Sequence, residues 1–447
     1  MTRPNQPQHR SPKREGPWFA LRSLTVLALV IPSALIFSGP LESNGWPPRL
    51  LAIWVAGAVV LGWAGRRRPT MRPSPAEKGS WILFGALACS FAAGGLRTLS
   101  EVESAGATRA ALLMFPLVVV GLGIATLADS RRSDQLLVGL LVGATVSAVF
   151  AIAQSVTPFD VAHVMQLPGM VARDIGGMGV RGSFIRVKGA AAHPIELGVI
   201  CGAMLPIAVH FARFSGSHRA RVWAGLAAFL LVLSIPLSVS RSGVLVVVIS
   251  MGVYAVVLSN RQRLEVLIIT LVGVVLLRAA IPGLLGAVRG IFGGASADTS
   301  ITARTDDYAR IALIIQDSPI LGNGLGTFRP QEYFFLDNQY LLSLVEGGVV
   351  LLVGMIVFFL LAVASARGAV IRAKTPAVAS RAQAVAGSVL AIGISGAFFD
   401  QFSFAQVTVL LFVLTGVAGA LWHDGVTRGN VIPSPLERVL GVPVNAS

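Results

Sequence analysis

Residues 347–366 read GGVVLLVGMIVFFLLAVASA and carry no charged side chain. A helix needs about 20 mainly apolar residues to cross the hydrocarbon core of a bilayer, and this run has that length. Glu346 stands before it and Arg367 after it. Working outward in both directions, similar apolar runs recur at 18–38, 49–65, 81–96, 109–128, 136–154, 194–212, 222–239, 243–259, 264–283, 384–400 and 403–422. The expected fold is therefore all-α, a polytopic membrane protein of about twelve transmembrane helices. Residues 1–17 form an N-terminal cytoplasmic tail, 18–422 the transmembrane domain and 423–447 a C-terminal cytoplasmic tail. The basic, Pro-containing start is followed by an apolar run with no clear small-residue cleavage site, so that run is expected to be retained as the first helix.

Composition agrees. The 447 residues are 54% hydrophobic and 13% charged, where a soluble domain carries about 25% charged residues. A net charge of +15 would point to nucleic acid in a soluble chain. Here most Lys and Arg fall in short connections between apolar runs, where positive charge sets topology, so no nucleic-acid partner is expected. Arg66 to Arg68, Arg131, Arg132, Arg219, Arg221, Arg261, Arg263 and the stretch Arg367 to Arg381 all fall on one side. That side is the cytoplasm, and both termini lie there, in the inner membrane. Cys89 and Cys201 lie inside apolar runs and are expected to be small core residues.

The exceptions to the charge rule are informative. Two long extracytoplasmic loops, 155–193 and 284–346, and the tight turn at Arg241 carry basic residues outside. Positive charge placed against the topogenic bias points to an anionic ligand. In the second loop, between helices 9 and 10, Tyr308, Ile311 and Ile315 recur at helical spacing from Thr302 to Gln316, and Arg304 joins that stripe. The glycines of Gly322-Asn-Gly-Leu-Gly326 follow no strand and precede no Lys-Ser/Thr, so they read as a turn rather than a phosphate loop.

Four segments carry the candidate chemistry. Arg186, Lys188, His193 and Glu196 lead into the sixth helix. Arg241 sits in Ser238-Val-Ser-Arg-Ser-Gly243, where a guanidinium suits a phosphate through paired hydrogen bonds or reaches lipid headgroups. Arg304 lies on the loop helix. Asp337, Asn338, Tyr340 and Glu346 lead into the tenth helix. Asp337 reads either as the cap of the helix beginning at Asn338 or as a general base for a sugar hydroxyl. A carboxylate at a membrane boundary is costly unless solvated or paired, so Glu196 is expected to hold Arg186 or Arg241, or alternatively to favour its helix N-terminus. No Cys/His cluster has metal-ligand spacing, and neither metal nor cofactor is expected.

Taken in order, these residues resemble the O-antigen ligase and O-antigen polymerase superfamily. The resemblance rests on Arg186-x-x-Gly189, Ser-x-Ser-Arg241-Ser-Gly243, Arg304, Asp317-Ser-Pro-Ile-Leu-Gly322-Asn-Gly-Leu-Gly326 and Asp337-Asn-x-Tyr-Leu before Glu346-Gly, and is clearest over residues 180–360. It implies a metal-independent glycosyltransferase that moves a glycan from an undecaprenyl-diphosphate carrier to a glycan, lipid or protein acceptor outside the cytoplasm. By this resemblance Asp337, Arg241 and Arg186 are catalytic, and Arg304, Lys188, His193, Glu196, Asn338, Tyr340 and Glu346 bind substrate. The chain departs from the family pattern at Asp337, where ligases of the family typically have His. A polymerase, or a ligase for another surface polysaccharide, fits at least as well as a lipopolysaccharide ligase. The alternative is a transporter for a small anion.

Overall fold

The computed structural model describes residues 16–39, 44–64, 72–157, 159–173, 180–181, 184–266, 268 and 310–428. The helices are α1 (Gly16–Val30), α2 (Pro47–Ala64), α3 (Pro75–Gly94), α4 (Glu101–Leu127), α5 (Ser130–Val156) and the single turn α6 (Val161–Val164). After them come α7 (Pro194–Phe214), α8 (His218–Leu237), α9 (Arg241–Tyr254), α10 (Gln339–Ile371), α11 (Pro376–Ser395) and α12 (Ala405–Arg428). Residues 260–266 and 310–317 are also helical. Among the described residues, 8 helices are long and apolar enough to cross a membrane: α2, α4, α5, α7, α8, α10, α11 and α12. The chain is a multi-pass, all-α membrane protein. Most of the expected span 264–283 lies outside the described residues.

Local sequence sets the helix starts. Ser74 with Glu77, and Ser100 with Glu103, form capping boxes at α3 and α4. Pro75, Pro194 and Pro376 occupy first helical positions, where the missing N–H costs nothing. The expected first span, 18–38, needs correction. Its helix stops at Val30, because Pro32 cannot continue it. Leu35–Phe37 instead forms strand β1, antiparallel to β2 (Met170–Ala172), with Leu35 opposite Ala172. A second short pair joins β3 (Val180–Arg181) to β4 (Phe184–Ile185).

α12 is the central element. Its apolar window is 94% buried, whereas those of α2 and α8 are only 33% buried. A helix apolar on all sides belongs inside a bundle, and Phe412 of α12 packs on Phe358 of α10. Cys201 is buried as expected, but Cys89 is exposed on the outer side of α3, so it is not a core residue.

The two ends of the bundle differ chemically. At one end, Arg381 pairs with Asp134 at 2.7 Å, His423 with Glu77 at 2.6 Å, and the Arg132 guanidinium lies 4.2 Å from the Trp18 ring centre. The other end gathers the long loops. There the Ser33 N–H donates to Ala190, that of Ser38 to Gly169 and that of Val187 to Leu237.

α10 contains one break. Gly348 has φ 59° and ψ −162°, so its helix is two segments joined at a kink. The kink frees backbone groups, and the loop after the 310–317 helix takes them up. Val349 and Val350 donate to the Pro319 and Ile320 carbonyls at 2.9 and 3.2 Å. In return Asn323 and Gly324 donate to the Val345 and Glu346 carbonyls at 3.0 and 2.8 Å. Every one of these groups would otherwise be a lost hydrogen bond in a low-dielectric setting. Gly322, Gly324 and Gly326 all have positive φ, so the segment is a turn, shaped to fit this kink.

Candidate functional site

The loop end holds two polar groups with a turn between them. The first is built on the α8–α9 turn. Ser240 caps α9, and Arg241 is the first residue of that helix. Just before it, Val239 has φ 47° and is fully buried. A β-branched residue in the left-handed region is strained by about 1–3 kcal/mol, and such strain concentrates at functional sites. The turn is held tightly against α7, where Gly198 and Gly243 meet: a Cβ on Gly198 would lie 3.0 Å from the Gly243 Cα. The Val187 N–H donates to Leu237 at 3.4 Å, which lays Arg186 and Lys188 over the same turn.

His193 caps α7, its Nδ1 accepting the Ile195 N–H at 3.2 Å. That acceptor role puts the ring proton on Nε2. Burial, then the nearby Arg186 and Lys188 charges, push the His193 pKa down to about 4. The ring is therefore neutral near pH 7. Lys188 is itself buried, with Nζ 3.4 Å from Asp160, and its backbone N–H donates to Gln154 at 3.1 Å.

Glu196 is fully buried and serves backbone. Its carboxylate accepts from Ala192 at 2.8 Å, Gln406 at 2.9 Å and Val407 at 3.3 Å. A carboxylate at the start of both α7 and α12 satisfies N–H groups that no preceding turn can reach. This fastens the loop before α7 to the central helix and meets the expectation that Glu196 favours a helix N-terminus.

The second group surrounds the start of α10. Asn338 caps that helix, its Oδ1 accepting from Tyr340 at 3.0 Å and Leu341 at 3.2 Å. Asp337 is therefore not the cap; it lies outside the helix with an exposed side chain. The Tyr340 hydroxyl donates to the Gly393 carbonyl at 2.8 Å. Glu346 is buried at the kink, where its carboxylate faces the Gly326 and Phe328 N–H groups and the Arg329 charge. Ile311 and Ile315 of the 310–317 helix pack with Phe328, Leu336 and Val345 beneath this group. Arg304 lies outside the described residues.

The α11–α12 turn, residues 396–404, links the two groups. Gln339 donates to the Gly396 carbonyl at 2.7 Å, and its side chain accepts from Phe402 at 2.9 Å. On the other side, the Phe404 ring centre lies 6.1 Å from that of His193. Asp400 sits in this turn within electrostatic range of Asp337, Arg329, Glu196 and Glu346. Burial, with the Asp337 charge adding to it, pushes its carboxyl up to about 6, against the lowering effects of the Ser403 hydrogen bond and Arg329. Sequence reading missed Asp400, placing it at the end of the expected span 384–400. The available signal was an acid amid Phe399, Gln401 and Ser403, between two apolar runs.

Residues 226–356 match the family model described as O-antigen ligase. Over that segment, under a third of its length, the chain is similar to the O-antigen ligase family. The matched segment runs from within α8 past the α10 kink and includes Arg241, Asp337, Asn338, Tyr340 and Glu346. It also includes both partners of the kink, the 319–324 turn and residues 345–350. No curated protein matches the chain. The matched segment therefore resembles that of O-antigen ligases, and it sits in a chain with 8 helices long and apolar enough to cross a membrane among the described residues.

Proposed function

We propose that the chain transfers or polymerises a glycan from an undecaprenyl-diphosphate carrier to an acceptor hydroxyl on the outer face of the cytoplasmic membrane. The observation that carries this reading is the placement of two cations, Arg186 and Arg241, with neutral His193 beside them, on one side of the 396–404 turn and an exposed carboxylate, Asp337, on the other. Asp337 takes the proton of the acceptor hydroxyl as its oxygen bonds to the anomeric carbon. The bond from that carbon to the diphosphate breaks, and the diphosphate leaves with the electron pair. Arg241 and Arg186 meet the charge that develops on it, Lys188 supplies further positive charge, and Arg304, outside the described residues, keeps the substrate-binding role that the resemblance implies. Removing one such electrostatic donor commonly costs ~10²–10³ in rate. Neutral His193 offers its Nε2–H to the same oxygens. Asn338, Tyr340 and Glu346 shape the acceptor side, and Glu196 acts through the segment it fastens.

The test is glycan transfer from a lipid-linked donor by purified variants at matched protein level, with EDTA present. Arg241→Ala is expected to lose roughly 10²–10³ of the rate. Arg241→Lys is expected to be nearly as poor, because an ammonium keeps the charge but loses the planar two-point fork. An arginine that only anchors lipid headgroups would be replaced almost fully by lysine. Wild-type transfer in the Ala variant, or an absolute need for added divalent metal, overturns the reading. Cells lacking the protein separate the outcomes further. Single repeat units on the carrier indicate a polymerase, full-length chains a ligase, and no change the anion transporter.

A further inference from the structure

Four arginines gather on the side of the loop end formed by α2 and α4, where the end of the 317–326 motif packs on α4. Arg49, in the first turn of α2, is 8% exposed, and its Nη1 donates to Asn44 at 3.0 Å. Arg109 is half-buried about two turns into α4. The Arg329 side chain lies along Gly106, one turn before Arg109 on the same helix; a Cβ on Gly106 would meet the Arg329 Cδ at 2.7 Å. Arg173 follows β2, and its N–H donates to the Ala34 carbonyl at 2.9 Å. Arg49 is in electrostatic range of Arg109 and Arg173, and Arg109 of Arg173 and Arg329.

Among the described residues, neither Arg49 nor Arg109 forms an ion pair. The Nε of each is buried without a hydrogen-bond partner. Like charges brought together out of water repel, and buried charge is costly unless an opposite charge joins it. The forks come from four separate segments. They outnumber the two oxygens of a carboxylate and suit the three oxygens of a phosphate monoester.

We propose that Arg49, Arg109, Arg173 and Arg329 form a second anion-binding site that takes a phosphate group. It differs from the diphosphate reading of Arg186 and Arg241 in using other arginines, and it borders the candidate site through Arg329, which also faces Glu346 and Asp400. The phosphate comes either from a substrate, carried on the glycan or acceptor, or from a phospholipid headgroup.

The experiment uses the full chain in nanodiscs of phosphatidylcholine, titrated with inorganic phosphate and followed by thermal unfolding. Wild type is expected to gain several degrees in Tm. In Arg109→Gln and Arg173→Gln the phosphate midpoint is expected to rise roughly tenfold, the loss of one charge-assisted hydrogen bond. Without phosphate, Arg109→Gln is expected to unfold at a higher temperature than wild type, because repulsion is relieved. A merely structural arginine would do the opposite. A second arm uses nanodiscs containing phosphatidylglycerol. If that lipid alone stabilises wild type and abolishes the response to phosphate, the headgroup is the source. If the response persists, the source is a substrate phosphate. The proposal fails if neither phosphate nor phosphatidylglycerol stabilises wild type. It fails equally if Arg109→Gln and Arg173→Gln keep the wild-type phosphate midpoint. Arg173 lies outside the helices, so its variant tests the site even where Arg109→Gln does not fold.

Discussion

Asp400 belongs to none of the motifs, yet it is the acid that lies between the two halves of the candidate site. Its raised pKa gives a prediction with a definite sign. The carboxyl is protonated below about pH 6 and ionised above it. Ionised Asp400 places negative charge beside Asp337 and so favours proton uptake from the acceptor hydroxyl. The wild-type kcat/KM for glycan transfer is therefore expected to fall as pH drops through about 6. Asp400→Asn should lower the rate at pH 7 modestly and lose that limb, whereas Asp337→Asn should cost ~10²–10⁴ at every pH, the usual worth of a general base. A pH–rate profile of the three proteins decides it; a limb near 6 that survives in Asp400→Asn assigns the titration elsewhere. His193 does not interfere, because burial and its two cationic neighbours keep it neutral down to about pH 4.

At the scale of elements, the kinked helix α10 and the 319–324 turn act as one joint. Gly348 has a φ/ψ combination that is essentially restricted to glycine, and a Cβ there would overlap the Ile320 carbonyl. Gly348→Ala is expected to cost more than ~2 kcal/mol, because strain and the lost backbone bonds add. Thermal unfolding of the purified variant reads it as a drop of several degrees, with transfer activity falling in parallel. Gly85→Ala is the control: its Cβ would meet nothing within 4 Å, so its Tm should stay the same or rise slightly. If Gly348→Ala matches that control, the joint is not a rigid element. The joint also marks what the sequence could tell. His193 and Pro194 announce α7 locally, and the observed start coincides with the expected one. Gly322 to Gly326 read correctly as a turn. What that turn fits against was not legible, since the contact from Pro319 to Val349 joins segments far apart in sequence. The same holds for Asp400 beside Asp337. Pro32, by contrast, was a local breaker within the expected span 18–38, and apolar composition alone hid it.

At the scale of the whole molecule, the structure separates two chemical surfaces. Arg381, Arg372 and Arg132 lie at one end, bound to Asp134, Trp422 and Trp18, while the loops with Arg186, Arg241 and Asp337 lie at the other. Positive charge near short connections tends to face the cytoplasm, and on that ground we propose that the first end lies there and the candidate site outside. The assignment is tested with single cysteines in a Cys89→Ala background and a membrane-impermeant thiol reagent. Ser380 would be a poor reporter, because it is buried and hydrogen-bonded to His210 and Tyr254. Gly216 is better, being exposed with nothing within 4 Å of an added Cβ, and Lys374 is exposed as well. Leu167 and Gln331 are exposed reporters at the loop end. Leu167→Cys and Gln331→Cys are expected to label in sealed spheroplasts, and Gly216→Cys and Lys374→Cys only after lysis. The reverse pattern would put Asp337 and Arg241 in the cytoplasm. A carrier diphosphate would then be met on the side where lipid-linked glycans are built rather than where surface polymers are assembled, and the proposed acceptor would have to be an intracellular one.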